Sequence, residues 1–264
     1  MGYVKLKHTL SRIALDAIEH PERSRVVDAL LAYARRGREP QGVPLTTLGR
    51  ATGETPQGVG RLLGATGLFD DPAGGGSDRI ALAAPFRPYA SYLRRQSART
   101  AVAIRLLRSN RRPGIPEEIW RAAALFNAGL FFECHEYLED VWRSTPGPER
   151  AFYHGLVQAA AGCYHLEKGN AHGAHTLIQK AIAKLEPYAP AHREVDVAAF
   201  LAGLRGVLGR LDRRSPPGEP NRPPRALPTM ALVDSPPGRR SRVRACGPAV
   251  PVRSSRARDR APHQ

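Results

Sequence analysis

Between residues 116 and 210 apolar side chains recur at three- and four-residue spacing, and short clusters of glycine, proline and asparagine break the pattern. That is the period of an α-helix with one buried face. The spacing predicts helices over 116–127, 130–143, 149–168, 170–186 and 193–210, with turns at Gly129, 144–148, Gly169-Asn170 and 187–190. Connections this short make consecutive helices run antiparallel, so the segment should fold as stacked helical hairpins in a compact bundle. Ala171, Ala174, Leu177, Ile178, Ala181, Ile182 and Leu185 share one face, which reads as core.

The second of these helices carries the polar groups. At about 100° per residue, Phe131, His135, Leu138 and Trp142 fall on one side with Glu139 at its edge, while Glu133, Glu136 and Asp140 lie on the flank and back. A histidine and a carboxylate one turn apart are thus expected to face inward. The next helix offers His154, Gln158 and His165 along one line, flanked by Gly155, Ala161 and Gly162, which would let another helix come close. His135, Glu136, Glu139, His154, Gln158 and His165 are therefore the candidates for a polar interior. One reading is a buried hydrogen-bond network that fixes helix register. The other is a site. Imidazole and carboxylate suit zinc, iron or manganese, with His135, Glu139 and His154 or His165 as ligands and Gln158 or water completing the shell. Without a metal, Glu139 would orient His135 for acid/base work. The run lacks the second histidine of the zinc-protease pattern and the repeated Glu-x-x-His of di-iron bundles, so no cofactor is predicted and a divalent metal is the alternative.

Several residues in this region carry a family resemblance: Phe126-Asn127-Ala128-Gly129, Phe132, His135-Glu136, Glu139, Trp142, Glu149-Arg150, Gly155-Leu156-Val157-Gln158, His165, Gly169-Asn170, Gly173-Ala174 and Lys184-Leu185-Glu186-Pro187-Tyr188. With them, residues 116–187 resemble the domain of unknown function 309 family. The resemblance implies a small all-α domain and no assigned activity.

A chain of 264 residues is long for one domain. Its net charge of +16 is unevenly spread: residues 1–110 carry +8, residues 111–211 are neutral, and residues 212–264 carry +8. Three parts are expected on these bounds: a basic helical domain, the all-α domain and a tail. In the first, residues 23–36 have helical spacing, 45–52 is a short helix candidate, Gly53-Glu54 a turn, Thr55 an N-cap and Pro56 the first residue of a further helix. A loop over 70–78 and an apolar run over 79–83 follow. Helix, turn, helix, loop, strand resembles a winged helix-turn-helix, which binds DNA by placing its second helix in the major groove. Gly58, Gly60 and Gly64 weaken that helix by about 1 kcal/mol each. Thr55, Gln57 and Arg61 are the base-edge candidates, with Arg50 and Arg79 for phosphate. A basic amphipathic helix over 88–110 should join the two domains.

The last segment holds 11 of the 24 prolines and no phenylalanine, tyrosine or tryptophan, so it is expected to be disordered and dispensable for folding. Its arginine clusters at 239–244 and 253–260 suit nucleic acid or anionic lipid. No apolar run is long enough to span a membrane, and no secretory or myristoylation signal opens the chain, so a cytoplasmic bacterial protein is expected. Cys134, Cys163 and Cys246 lack paired spacing, and the first two read as buried, inert thiols. The function expected is that of a two-domain binding protein: the N-terminal domain contacts DNA or a partner, and the helical domain binds a ligand or protein. The alternative is a small metal-dependent or acid/base hydrolase-like enzyme using His135, Glu139, Gln158 and His165.

Overall fold

The computed structural model describes residues 2–37, 40–70, 78–109, 114–213 and 227–233. They are mainly helical. The chain opens with α1 (Gly2–Glu19), then α2 (Arg25–Arg36), β1 (Val43–Pro44), α3 (Leu45–Thr52), α4 (Pro56–Gly64), β2 (Arg79–Ile80) and α5 (Ala90–Arg108). The bundle follows as α6 (Glu117–Asn127), α7 (Phe131–Ser144), α8 (Glu149–Glu167) and α9 (Ala171–Leu185). A two-residue hairpin, β3 (Ala191–His192) with β4 (Val195–Asp196), leads into α10 (Val197–Asp212). The helices expected over 116–210 all form, within a few residues of their expected ends except α10, which starts only after the hairpin.

In the N-terminal part, α2, α3 and α4 surround Leu30, Val43, Leu48, Val59, Leu63 and Leu68, all buried. β1 pairs antiparallel with β2, and Phe69 bridges to Leu82, so a small sheet closes the end of this core. Tyr33 of α2 ties the sheet down: its ring packs edge-on against Phe69 at 4.7 Å and its hydroxyl accepts the Leu82 amide at 2.9 Å. Gly42 enters β1 with φ +65, and a Cβ there would stand 2.4 Å from the Ile80 carbonyl oxygen, so only glycine fits. Most of the expected loop over 70–78 lies outside the described residues.

The second core gathers α6 to α10 around Phe126, Phe131, Phe152 and Phe200. On α8, a Cβ at Gly155 or Gly162 would sit 2.7 Å from Leu185 or Ile178 of α9, so these glycines set the close approach of the two helices. Cys134 and Cys163 are free, buried thiols, whose burial raises their pKa, for Cys163 to about 12; Cys246 lies outside the described residues.

Two features depart from the sequence reading. The helix α1 was not expected. Its Leu6 and Leu10 belong to the N-terminal core, whereas Ile18 belongs to the bundle core, as does Ala103 of α5. The second departure is within the expected disordered tail, most of which, with both arginine clusters, lies outside the described residues. Residues 227–233 dock on the bundle. Met230 is 1% exposed, its amide donates to Asn127 Oδ1 at 2.8 Å, and its carbonyl accepts from Asn127 Nδ2 at 3.0 Å. Leu232 bridges to Val195 beside it. Among the described residues no helix is long and apolar enough to cross a membrane.

Candidate functional site

The seam between α7 and α8 holds the polar residues expected from the sequence. Two ring contacts set its antiparallel register: Trp142 stacks on His154 at 4.6 Å, and Phe132 meets Tyr164 at 5.4 Å. At the middle of the seam, His135 Nδ1 lies 3.2 Å from Glu136 Oε1, and its Nε2 lies 3.8 Å from Glu139 Oε2. The other oxygen of Glu139 accepts from Arg143 at 2.6 Å. The His135 and Glu139 side chains keep 28% and 26% of their exposure, so the cluster is at the rim of the bundle. Ligand atoms of His135, Glu136 and Glu139 all lie within 4.8 Å of one another. The 3.8 Å from His135 Nε2 to Glu139 Oε2 is less than twice a metal–ligand distance of about 2.1 Å, so one cation can touch both.

The sealed network of His135, Glu139, Gln158 and His165 does not form. His154 stacks on Trp142, and His165 pairs with Asn170 at 2.9 Å near the far end of α8. Eleven residues of helix separate those two histidines by about 16 Å, too far for one site. Gln158 lies between them with its Oε1 buried and without a hydrogen-bond partner among the described residues. Burial, with Lys184 and Arg150 nearby, lowers the His154 pKa, which favours the neutral ring.

Residues 119–177 match the model of DUF309, a domain of unknown function. The DUF309 segment thus covers α6, α7, α8 and the first half of α9, with every residue of the seam. The chain is similar to an uncharacterized protein of Aquifex aeolicus, 28% identical over 126 residues, which are 47% of this chain and 37% of that protein. It is also similar to the uncharacterized protein YpuF of Bacillus subtilis, 37% identical over 67 residues, which are 25% of this chain and 37% of YpuF. The matches therefore span little more than a third of these curated relatives' length. No solved structure matches the chain.

The inward carboxylate of the DUF309 segment is Glu133, a residue the sequence reading placed on the flank. It is 1% exposed. The buried arc of α7 runs through Phe131, Glu133, Cys134 and Leu138, because α6 and the N-terminal helices α1 and α5 also cover this helix. Gln96 of α5 donates to Glu133 Oε1 at 3.2 Å, while Glu133 Oε2 has no partner among the described residues. Burial raises the Glu133 pKa to about 7, Glu167 pushes it the same way, and Arg99 opposes. The signal available in the sequence was on the other helix: Gln96, Ser97 and Thr100 put a polar strip on the buried side of α5.

In the N-terminal part, Gly53 at φ +73 ends α3, and the Thr55 hydroxyl accepts the Gly58 amide at 3.0 Å to cap α4. Val59, Gly60 and Leu63 face the core, and Gln57 and Arg61 are exposed, as is Arg50 on α3. Arg79 instead donates to the carbonyls of Gln41 and Gly42 at 2.9 and 2.8 Å, which holds the entrance to β1.

Proposed function

We propose that the protein binds duplex DNA through its N-terminal part and that the DUF309 bundle is its ligand- or partner-binding half. The observation that carries this reading is the α3–α4 pair, joined through left-handed Gly53 and capped Thr55, with Gln57 and Arg61 outward. With β1 before it and β2 after it, paired as a small sheet, its element order resembles that of a winged helix-turn-helix, in which the second helix enters the major groove. The +8 charge of residues 1–110 supports contact with phosphate, and the few long polar side chains on α4 favour backbone over base readout. A cavity of about 390 Å³, lined by Leu106, Trp120, Ala123, Met230 and Leu232, supports small-ligand binding by the bundle half.

The test is fluorescence anisotropy of a labelled generic duplex against the full chain and against a chain ending at residue 233. Each phosphate contact contributes about −0.9 to the slope of log K against log salt, so Arg61→Ala should flatten the slope by about 1 in both chains. Binding confined to the longer chain, or unmoved by Arg50→Ala and Arg61→Ala, refutes the reading.

The His135, Glu136 and Glu139 cluster favours a second reading, a divalent-metal site on α7. Zinc or manganese held there would supply a Lewis acid, while Arg143 keeps the Glu139 carboxylate oriented. Thermal unfolding with added zinc and manganese tests it: a rise in Tm that disappears in His135→Ala supports the site, and no rise refutes it.

A further inference from the structure

A groove runs between α1, α2 and α4. It encloses about 440 Å³, within the range of small-molecule pockets. Each of the three helices contributes one arginine and one apolar side chain to it: Arg12 and Ile13, Arg25 and Val26, Arg61 and Leu62. The aliphatic side chains are half-buried against the N-terminal core, so they form a floor. Arg25 is neutralised by Glu54 at 3.3 Å, but Arg12 and Arg61 have no ion-pair partner among the described residues. The lining therefore keeps an excess of two positive charges above an apolar floor. Gly58 and Ala65 leave the α4 wall low, and the Thr66 hydroxyl already donates its one proton to the Leu63 carbonyl while accepting from the Leu68 amide.

We propose that this groove binds a small amphipathic anion, a molecule with an aliphatic or aryl body and a carboxylate head. The body covers Ile13, Val26 and Leu62, and the head is taken by Arg12 and Arg61. Bidentate guanidinium–carboxylate contacts are the strong class of charged hydrogen bond, and two unpaired guanidiniums across one opening suit a single head group. A nucleic-acid backbone fits this lining poorly, because it has no apolar part to cover the floor. Arg61 also belongs to the outward face of α4, so an anion that draws it into the groove weakens duplex binding. That last consequence rests on the DNA reading; the groove does not.

Isothermal titration of the full chain, without DNA, tests the groove with octanoate as probe. The controls are octanol, with the body and no charge, and acetate, with the charge and almost no body. Octanoate is expected to bind at least tenfold more tightly than either. Arg12→Gln and Arg61→Gln should each weaken it at least fivefold, and Ala65→Trp, which fills the groove and removes no charge, should abolish it. These side chains are at the surface, so the melting temperature of each variant serves as the folding control. Octanol binding as tightly as octanoate overturns the anion, and octanoate binding unchanged in Arg12→Gln/Arg61→Gln overturns the groove. If octanoate binds and loses affinity in these variants but leaves duplex affinity unchanged, only the coupling to DNA falls.

Discussion

Glu133 accepts from the Gln96 amide on one oxygen and has no partner on the other among the described residues, and its burial outweighs that hydrogen bond and favours the protonated form. Its folded pKa of about 7 lies above the ordinary 4.5, so the folded state binds the proton more tightly than the unfolded state does. The contribution is full below pH 4.5 and is lost as pH rises to about 7, by on the order of 3 kcal/mol. Glu133→Gln should therefore flatten the stability profile across that window and raise the melting temperature at pH 8, as denaturation at a series of pH values will measure. A wild-type profile flat between those limits contradicts the account. His135 is the contrasting case. Rim ion pairs contribute little, so His135→Ala should change stability by less than about 1 kcal/mol in urea unfolding. Reading α7 as a wheel placed the right residue types on the helix but turned its buried arc away from Glu133. The wheel gives angles between residues; which arc is buried depends on the elements that come to cover it.

At the scale of elements, residues 227–233 behave as part of the bundle. Asn127 satisfies both backbone groups of Met230, and the Ala231 carbonyl accepts the Asp196 amide at 3.0 Å beside the β3–β4 hairpin. Ending the chain at residue 213 removes Met230 from the bundle core and strips Asn127 of both backbone partners, at a cost of about 1–3 kcal/mol for each stranded polar group. The shortened protein should melt at least roughly 5 °C below the full chain, whereas ending it at 233 should leave the transition in place. Equal melting of all three chains would mean that the contact contributes nothing. The segment was illegible in the sequence because proline-rich surroundings hide a short apolar stretch, Met230 to Val233, with no periodicity of its own. The α1 helix was missed for a different reason. Its apolar residues serve two cores, so they do not collect into one stripe. The α3–turn–α4 unit, by contrast, was legible to the residue, since Gly53, Thr55 and Pro56 act through bonds within five positions.

Over the whole molecule, α1 and α5 link the basic part to the helical bundle, and Arg99 reinforces the link by donating to Glu167 at 2.7 Å. Both tryptophans, Trp120 and Trp142, are in the bundle, so their fluorescence reports that half alone. Leu6→Ala removes a fully buried side chain from the N-terminal core at a cost of about 2–5 kcal/mol. If the halves unfold together through α1 and α5, the tryptophan transition in urea shifts by that amount; an unshifted transition would mark two independent domains. The sequence by itself determined the helices of the bundle, their turns, the inert thiols and the division of charge, because each depends on neighbours a few residues away or on composition. The tertiary structure decided that Glu133 is buried and His135 is not, that Arg79 clamps the backbone, that Met230 seals the bundle and that Arg12, Arg25 and Arg61 meet over one groove. Those outcomes depend on which distant helices arrive at a given face, and burial is a property of that assembled contact rather than of any single segment.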